Sequence, residues 1–116
     1  MVSKEPILFY HTDPETGVVI EKEHSLFERS VKDKIMVFPA GKGSSSVQAD
    51  GLYKLSVNST APKAFIVKDL DTVLVSCAIV MEIPMVNNVE AEFYDVISDD
   101  AIIELDADKE EIKVIF

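Results

Sequence analysis

Cysteine is almost absent: Cys77 is the only one in 116 residues. An internal disulfide is therefore excluded, and a complete thiolate metal cage would need ligands from another chain. This usage predicts a reducing, cytoplasmic setting. Positive charge is also scarce. The 11 Lys and Arg stand against 21 Asp and Glu, a formal net charge of −10. A surface of that sign repels a phosphate backbone or an anionic lipid headgroup across about a Debye length, ~8 Å at physiological salt. Nucleic acid and membrane surfaces are thus expected to be poor partners. Many of the acids lie between Glu90 and Glu111, which predicts a solvated acidic face there.

Long hydrophobic runs are missing too. The stretch "TVLVSCAIVMEIPMV" meets Glu82 and Pro84 before it approaches the roughly 18 apolar residues of a membrane span. "MVSKEPILFY" has neither an apolar h-region nor a small-residue cleavage site, so no signal peptide is expected. Internal repeats, low-complexity tracts and interdomain linkers are likewise not found. Hydrophobic residues make up 47% of the chain and charged residues 28%, a balance that supports a folded globular protein. The length suits one domain with one core, over residues 1–116.

Period changes along the chain predict its elements. "ILFY" (Ile7 to Tyr10) and "GVVI" (Gly17 to Ile20) read as strands around a turn at Asp13-Pro14 and Gly17. "KIMVFP" (Lys34 to Pro39) is a buried strand closed by proline. From Ser44, Val47, Gly51 and Leu55 recur at four-residue spacing beside Leu52, which predicts a helix that ends in "STAPKA". A Gly51 inside that helix costs about 1 kcal/mol relative to alanine unless it allows close packing. "FIV" (Phe65 to Val67) is a short buried strand. "LDTVLVSCAIVME" reads as a helix capped by Asp69 or Asp71, although its β-branched content leaves a strand open. "IPMV" (Ile83 to Val86) is a further strand, "AEFYDVI" a helical turn, and "AIIELDADKEEIKVIF" a terminal β-hairpin around "DADK". The sum is a mixed α/β domain, layered or barrel-like, with about two main helices.

The chemistry-bearing stretch is "FPAGKGSSSVQADG", Phe38 to Gly51. A helix starting near Ser44 leaves its first backbone N–H groups without intrahelical partners, at the positive end of the helix dipole. Those groups attract a carboxylate or phosphate. Gly41 and Gly43 let a ligand approach the main chain, and Lys42 adds a cation. The plainer alternative is that one serine merely caps the helix. A nucleotide P-loop is not supported, because Lys42 precedes Gly43 and Met36 stands five positions before Gly41. A Ser-His-Asp hydrolase is not supported either, since no G-x-S-x-G elbow exists. His11 and His24, the only two histidines, are expected on the surface or in loops. Neither they nor the acids show metal-ligand spacing.

The order of the motifs then becomes informative. "VSKEPILFYHTDPETGVVIEKEHSLFERSVKDKIMVFPAGKGSSS", followed by "APKAFIV" and "AIVMEIPMV", resembles the small subunit of the aconitase X family over nearly the whole chain. The specific pieces are Val2 to Pro6, Asp13 to Gly17, Gly41 to Ser46 and Ala78 to Val86. The resemblance implies a swivelling β/β/α domain that closes over a larger, iron–sulfur-bearing subunit, with the active site between the two chains. It implies half of a hydro-lyase, inactive alone, that removes water from mevalonate 5-phosphate to give trans-anhydromevalonate 5-phosphate in isoprenoid synthesis. Bacterial relatives act on hydroxyproline. By similarity to the G-x-G-S-S loop of aconitase swivel domains, Ser44 is the expected catalytic base. Gly41, Lys42, Gly43, Ser45 and Ser46 are the expected substrate contacts. No cofactor is expected on this chain, and Cys77 is expected to pack as a small apolar residue. The chain carries His11-Thr12, Val47-Gln48 and Ser76-Cys77 where the family pattern has a Gly-Gly pair, a small residue with serine, and glycine. The alternatives are a non-catalytic, anion-binding or regulatory swivel protein, a hydroxyproline-type dehydratase subunit, and a stand-alone small-molecule binder.

Overall fold

A computed structural model describes residues 1–69, 71–87, 89, 93, 94 and 97, and the backbone of 102–106 and 111–115 together with the Ile103 side chain. Three short parallel strands form its centre. β1 (Ile35–Phe38), β2 (Ala64–Val67) and β3 (Met85–Val86) lie in the order β1-β2-β3, with Met36 opposite Phe65 and Ile66 opposite Val86. The N-terminal residues extend the β1 edge in the same direction: Val2 bridges Val37 and Ile7 bridges Gly41, both parallel. Parallel pairing needs crossover connections, and these are α1 (Ser45–Val57) and α2 (Thr72–Val80).

Alternation along the strands builds two cores. Met36, Phe38, Phe65 and Val67 face a cluster that also holds Leu52 and Leu55 of α1 and Leu74, Cys77 and Ala78 of α2. Phe9, Phe38 and Phe65 meet there, with ring centroids 5.2 to 5.9 Å apart. Val37 and Ile66 point the other way, against Phe93, with Val89, Tyr94, Ile97 and Ile103 packed around them. Ile103 belongs to β4 (Ile102–Asp106), which pairs antiparallel with β5 (Glu111–Ile115), Ile103 opposite Val114. The expected terminal hairpin pairing is therefore present. Helices, parallel sheet and hairpin give a layered α/β domain, as expected. "DADK" beyond Asp106 lies outside the described residues, as do most acids of the expected acidic face. Of "AEFYDVI", Phe93 and Tyr94 are helical and Ile97 N–H donates to Phe93 O at 3.0 Å, one turn.

The two N-terminal strands are corrected. Only Ile7 of "ILFY" bridges, and Phe9–His11 form a 3-10 turn. The cause is Gln48 on α1, fully buried: its Oε1 accepts from Phe9 N–H at 2.7 Å and its Nε2 donates to Ile7 O at 3.0 Å. A side chain has taken the bonds a neighbouring strand would supply. "GVVI" makes only single bridges, Val18 to Ser30 and Val19 to Thr12. Gly51 has the close-packing role that its helix position requires: a Cβ there would lie 2.2 Å from Tyr10 N.

Both helices end alike. Ser59 (φ 58) and Glu82 (φ 57) are left-handed. Thr60 N–H reaches Leu55 O at 2.8 Å while Ser59 N–H reaches Ser56 O at 3.1 Å; Ile83 reaches Ala78 at 2.9 Å and Glu82 reaches Ile79 at 3.2 Å. These are Schellman closures built without glycine. α2 is a helix despite its β-branched residues, because Asp71 Oδ1 caps Val73 N–H at 3.0 Å and Leu74, Cys77 and Ala78 share one buried face.

Candidate active site

β1 and β2 both run into their following helices at the same edge of the sheet, and open parallel sheets place ligand sites at that edge. The two turns are tied together there, with Asp69 N–H donating to Pro39 O at 2.9 Å. The loop from Pro39 to Ser44 is held against the N-terminal segment. Ile7 N–H donates to Ala40 O at 3.1 Å, and Lys42 N–H to Ile7 O at 3.3 Å. Gly41 and Gly43 make this docking possible. A Cβ on Gly41 would lie 2.8 Å from Asp71 Oδ2 and 2.9 Å from Gln48 Nε2. Gly43 has φ +85, and its Cβ would meet Leu8 Cδ1 at 3.0 Å.

Ser44 is the N-cap of α1, with extended backbone (φ −78, ψ 161). Its Oγ accepts from Val47 N–H at a long 3.4 Å and lies 3.4 Å from Ser46 Oγ. Ser44, Ser45 and Ser46 are all exposed. The structure thus gathers three hydroxyls and the unpaired amides of a first helical turn on one accessible rim. Ser45 also stands at the end of a groove of about 380 Å³ between α1 and α2, walled by Ala49, Val73, Cys77 and Met81. Cys77 is 6% exposed; burial, and then the Asp71 charge, push its thiol pKa up. It packs as the small apolar residue expected.

Lys42 does not stand free. Its Nζ lies 2.8 Å from Glu21 Oε1 and 3.0 Å from Oε2, and His11 Nδ1 reaches the same Oε1 at 2.9 Å. The Lys42 hydrogen bond holds the Glu21 carboxyl below its usual range; burial opposes this, and the His11 bond adds to it. Sequence reasoning missed Glu21 altogether, because nothing local links residues 11, 21 and 42. His11 is on the surface as expected. His24 is a loop residue but buried, at 6% exposure: its Nε2 lies 3.1 Å from Pro6 O and its Nδ1 accepts from Leu26 N–H. Both histidines thus meet the expectation of a surface or loop position. Among the described residues, no group of three or more His, Cys, Asp or Glu could hold a metal ion, and no helix is long and apolar enough to cross a membrane.

A family model described as the aconitase X swivel domain matches residues 1–114. The chain belongs to that family. Among aconitase X relatives, the phosphomevalonate dehydratase small subunit of Thermococcus sibiricus is 43% identical over 115 residues, 98% of this chain and 85% of the relative. The protein of the same name from Methanosarcina acetivorans is 36% identical over 116 residues, 99% of this chain and 80% of the relative. The crystal structure of Thermococcus kodakaraensis aconitase X in its holo form superposes with a TM-score of 0.88 at 37% identity, covering 100% of this chain and 86% of that one. The layered α/β architecture is therefore that of an aconitase X swivel domain.

Proposed function

We propose that this chain is the small subunit of a two-chain hydro-lyase that dehydrates mevalonate 5-phosphate to trans-anhydromevalonate 5-phosphate. The observation that carries the reading is the serine rim: three exposed hydroxyls at the start of α1, in a chain whose relatives are named for that dehydratase. Removal of water needs a base for the carbon-bound proton while the hydroxyl departs. Ser44 Oγ takes that proton, the C–H electron pair becomes the new double bond, and the hydroxyl leaves with its bonding pair and is protonated to water. A serine alkoxide is too basic to persist in water unless donors are already aimed at it. The Val47 N–H that caps through Ser44 Oγ is one such donor, and the positive end of α1 adds to it. Ser45 and Ser46 orient substrate oxygens, Gly41 and Gly43 keep the loop closely docked, and Lys42 supplies a cation.

The described residues of this chain offer no donor set for an iron–sulfur cluster, so we assign the cluster to the large partner, and no step on this chain runs through it. The active site is completed when that partner docks, so the isolated chain is inactive. A lone buried thiol fits a reducing compartment, and we assign the cytoplasm. The test is co-expression with the large subunit and an anaerobic assay on mevalonate 5-phosphate and on hydroxyproline. Turnover of the first supports the reading, and turnover of hydroxyproline alone replaces its substrate. Ser44→Ala is expected to abolish turnover while the pair still assembles; near-wild-type activity would remove Ser44 as the base.

A further inference from the structure

We infer that His11 and Lys42, drawn together on Glu21, form the subsite for a phosphate monoester group beside the serine rim. Three observations carry this. The first is convergence: side chains from the 3-10 turn and from the glycine loop meet on one carboxylate oxygen, Glu21 Oε1, at 2.9 and 2.8 Å. The second is spare donor capacity. An ammonium has three N–H donors, and the two Glu21 oxygens leave at least one of those on Lys42 for a ligand. A carboxylate only accepts, so His11 must present Nδ1–H to it, which leaves Nε2 as the outward group. Nε2 has no hydrogen-bond partner among the described residues. The third is access: His11 and Lys42 side chains are 45% and 40% exposed while Glu21 is 21% exposed. The space behind the cluster, toward Ile7 and Val19, is only about 10 Å³, too small for a phosphate group, so a ligand must come from the solvent-exposed side.

Phosphate suits this arrangement in either protonation state. A monoester titrates near pH 6, so it offers a P–OH to a neutral Nε2 or accepts from a protonated one, while the Lys42 ammonium meets a phosphoryl oxygen. Glu21 is the positioning residue. Without it the lysine would rotate freely about four torsions, and His11 would lose its fixed ring orientation.

The identity of the ligand rests on the proposed function; the existence of the subsite is tested separately. In the assembled enzyme, Lys42→Met and His11→Leu should each raise KM for mevalonate 5-phosphate tenfold or more with kcat within threefold, and Lys42→Arg should restore most of the loss. Glu21→Ala should raise KM at least threefold. A loss confined to kcat, an unchanged KM in the Lys42 variant, or a lower KM in the Glu21 variant overturns the assignment. Should the assembled enzyme not turn over mevalonate 5-phosphate, the proposed function fails, and the subsite is judged on the isolated chain with inorganic phosphate. A saturable shift of the His11 ring resonances that Lys42→Met abolishes upholds it, and the lack of any saturable shift overturns it.

Discussion

Gln48 shows how much a single side chain decides here. It is fully buried with both amide atoms bonded to backbone at Phe9 and Ile7, and it also borders the space that Gly41 leaves free. Gln48→Ala would strand the buried Phe9 N–H, which costs about 1–3 kcal/mol when unpaired, and would leave Ile7 O only its longer bond from Lys42 N–H at 3.3 Å. Urea unfolding should show a loss of at least ~2 kcal/mol, and amide exchange at Phe9 should accelerate. Ser44→Ala makes a contrasting case. Its cap bond is long, so its loss should cost only about 1 kcal/mol of stability, whereas the proposed base role predicts loss of essentially all activity. Thermal unfolding and turnover of one variant would thus separate capping from catalysis. In the sequence Gln48 stood out only as part of a departure from the family pattern after the serines, and its buried role was not legible, since its partners lie about forty positions away.

At the scale of elements, the helix starts were legible and the helix ends were not. Ser44 and Asp71 are short polar residues just ahead of apolar periodicity, and both cap as their chemistry suggests. The C-terminal closures use Ser59 and Glu82 in the left-handed region, where glycine is the usual signal. Because that conformation costs an L-residue roughly 1–2 kcal/mol, Ser59→Gly and Glu82→Gly should each raise stability by about 0.5–1 kcal/mol, measured as a shift in denaturation midpoint at unchanged slope. Gly51→Ala should act oppositely. Backbone at Tyr10 occupies the place of its Cβ, and the overpacking should cost ~3 kcal/mol or more. An alanine there that leaves the midpoint unmoved would mean that the 3-10 turn does not sit against α1.

At the scale of the molecule, charge links folding to the site. Glu21 is held below its ordinary value of 4.5, chiefly by Lys42. A carboxyl whose folded pKa is depressed stabilises the fold above its unfolded value, and that contribution disappears as pH falls through the lowered one. Glu21→Gln should therefore be less stable than wild type at pH 7, and the gap should close as pH falls below the ordinary carboxylate value and through the lowered one. Unfolding curves taken across that range check the sign. The same ion pair joins the turn after Val19 to the loop before α1, so weakening it loosens the approach to the serine rim without touching either core.

Composition and local pattern by themselves determined the single thiol, the acidic balance, the strand-to-helix alternation and the serine-started helix. Each is set by residue chemistry or by neighbours within a turn or two. Only the tertiary structure decided that "ILFY" curls into a 3-10 turn, that Gly41 and Gly43 make room for Asp71, Gln48 and Leu8, and that Lys42 turns to Glu21 and His11. Those outcomes depend on atoms brought together from distant parts of the chain. Burial and hydrogen-bond satisfaction, rather than local propensity, select among them.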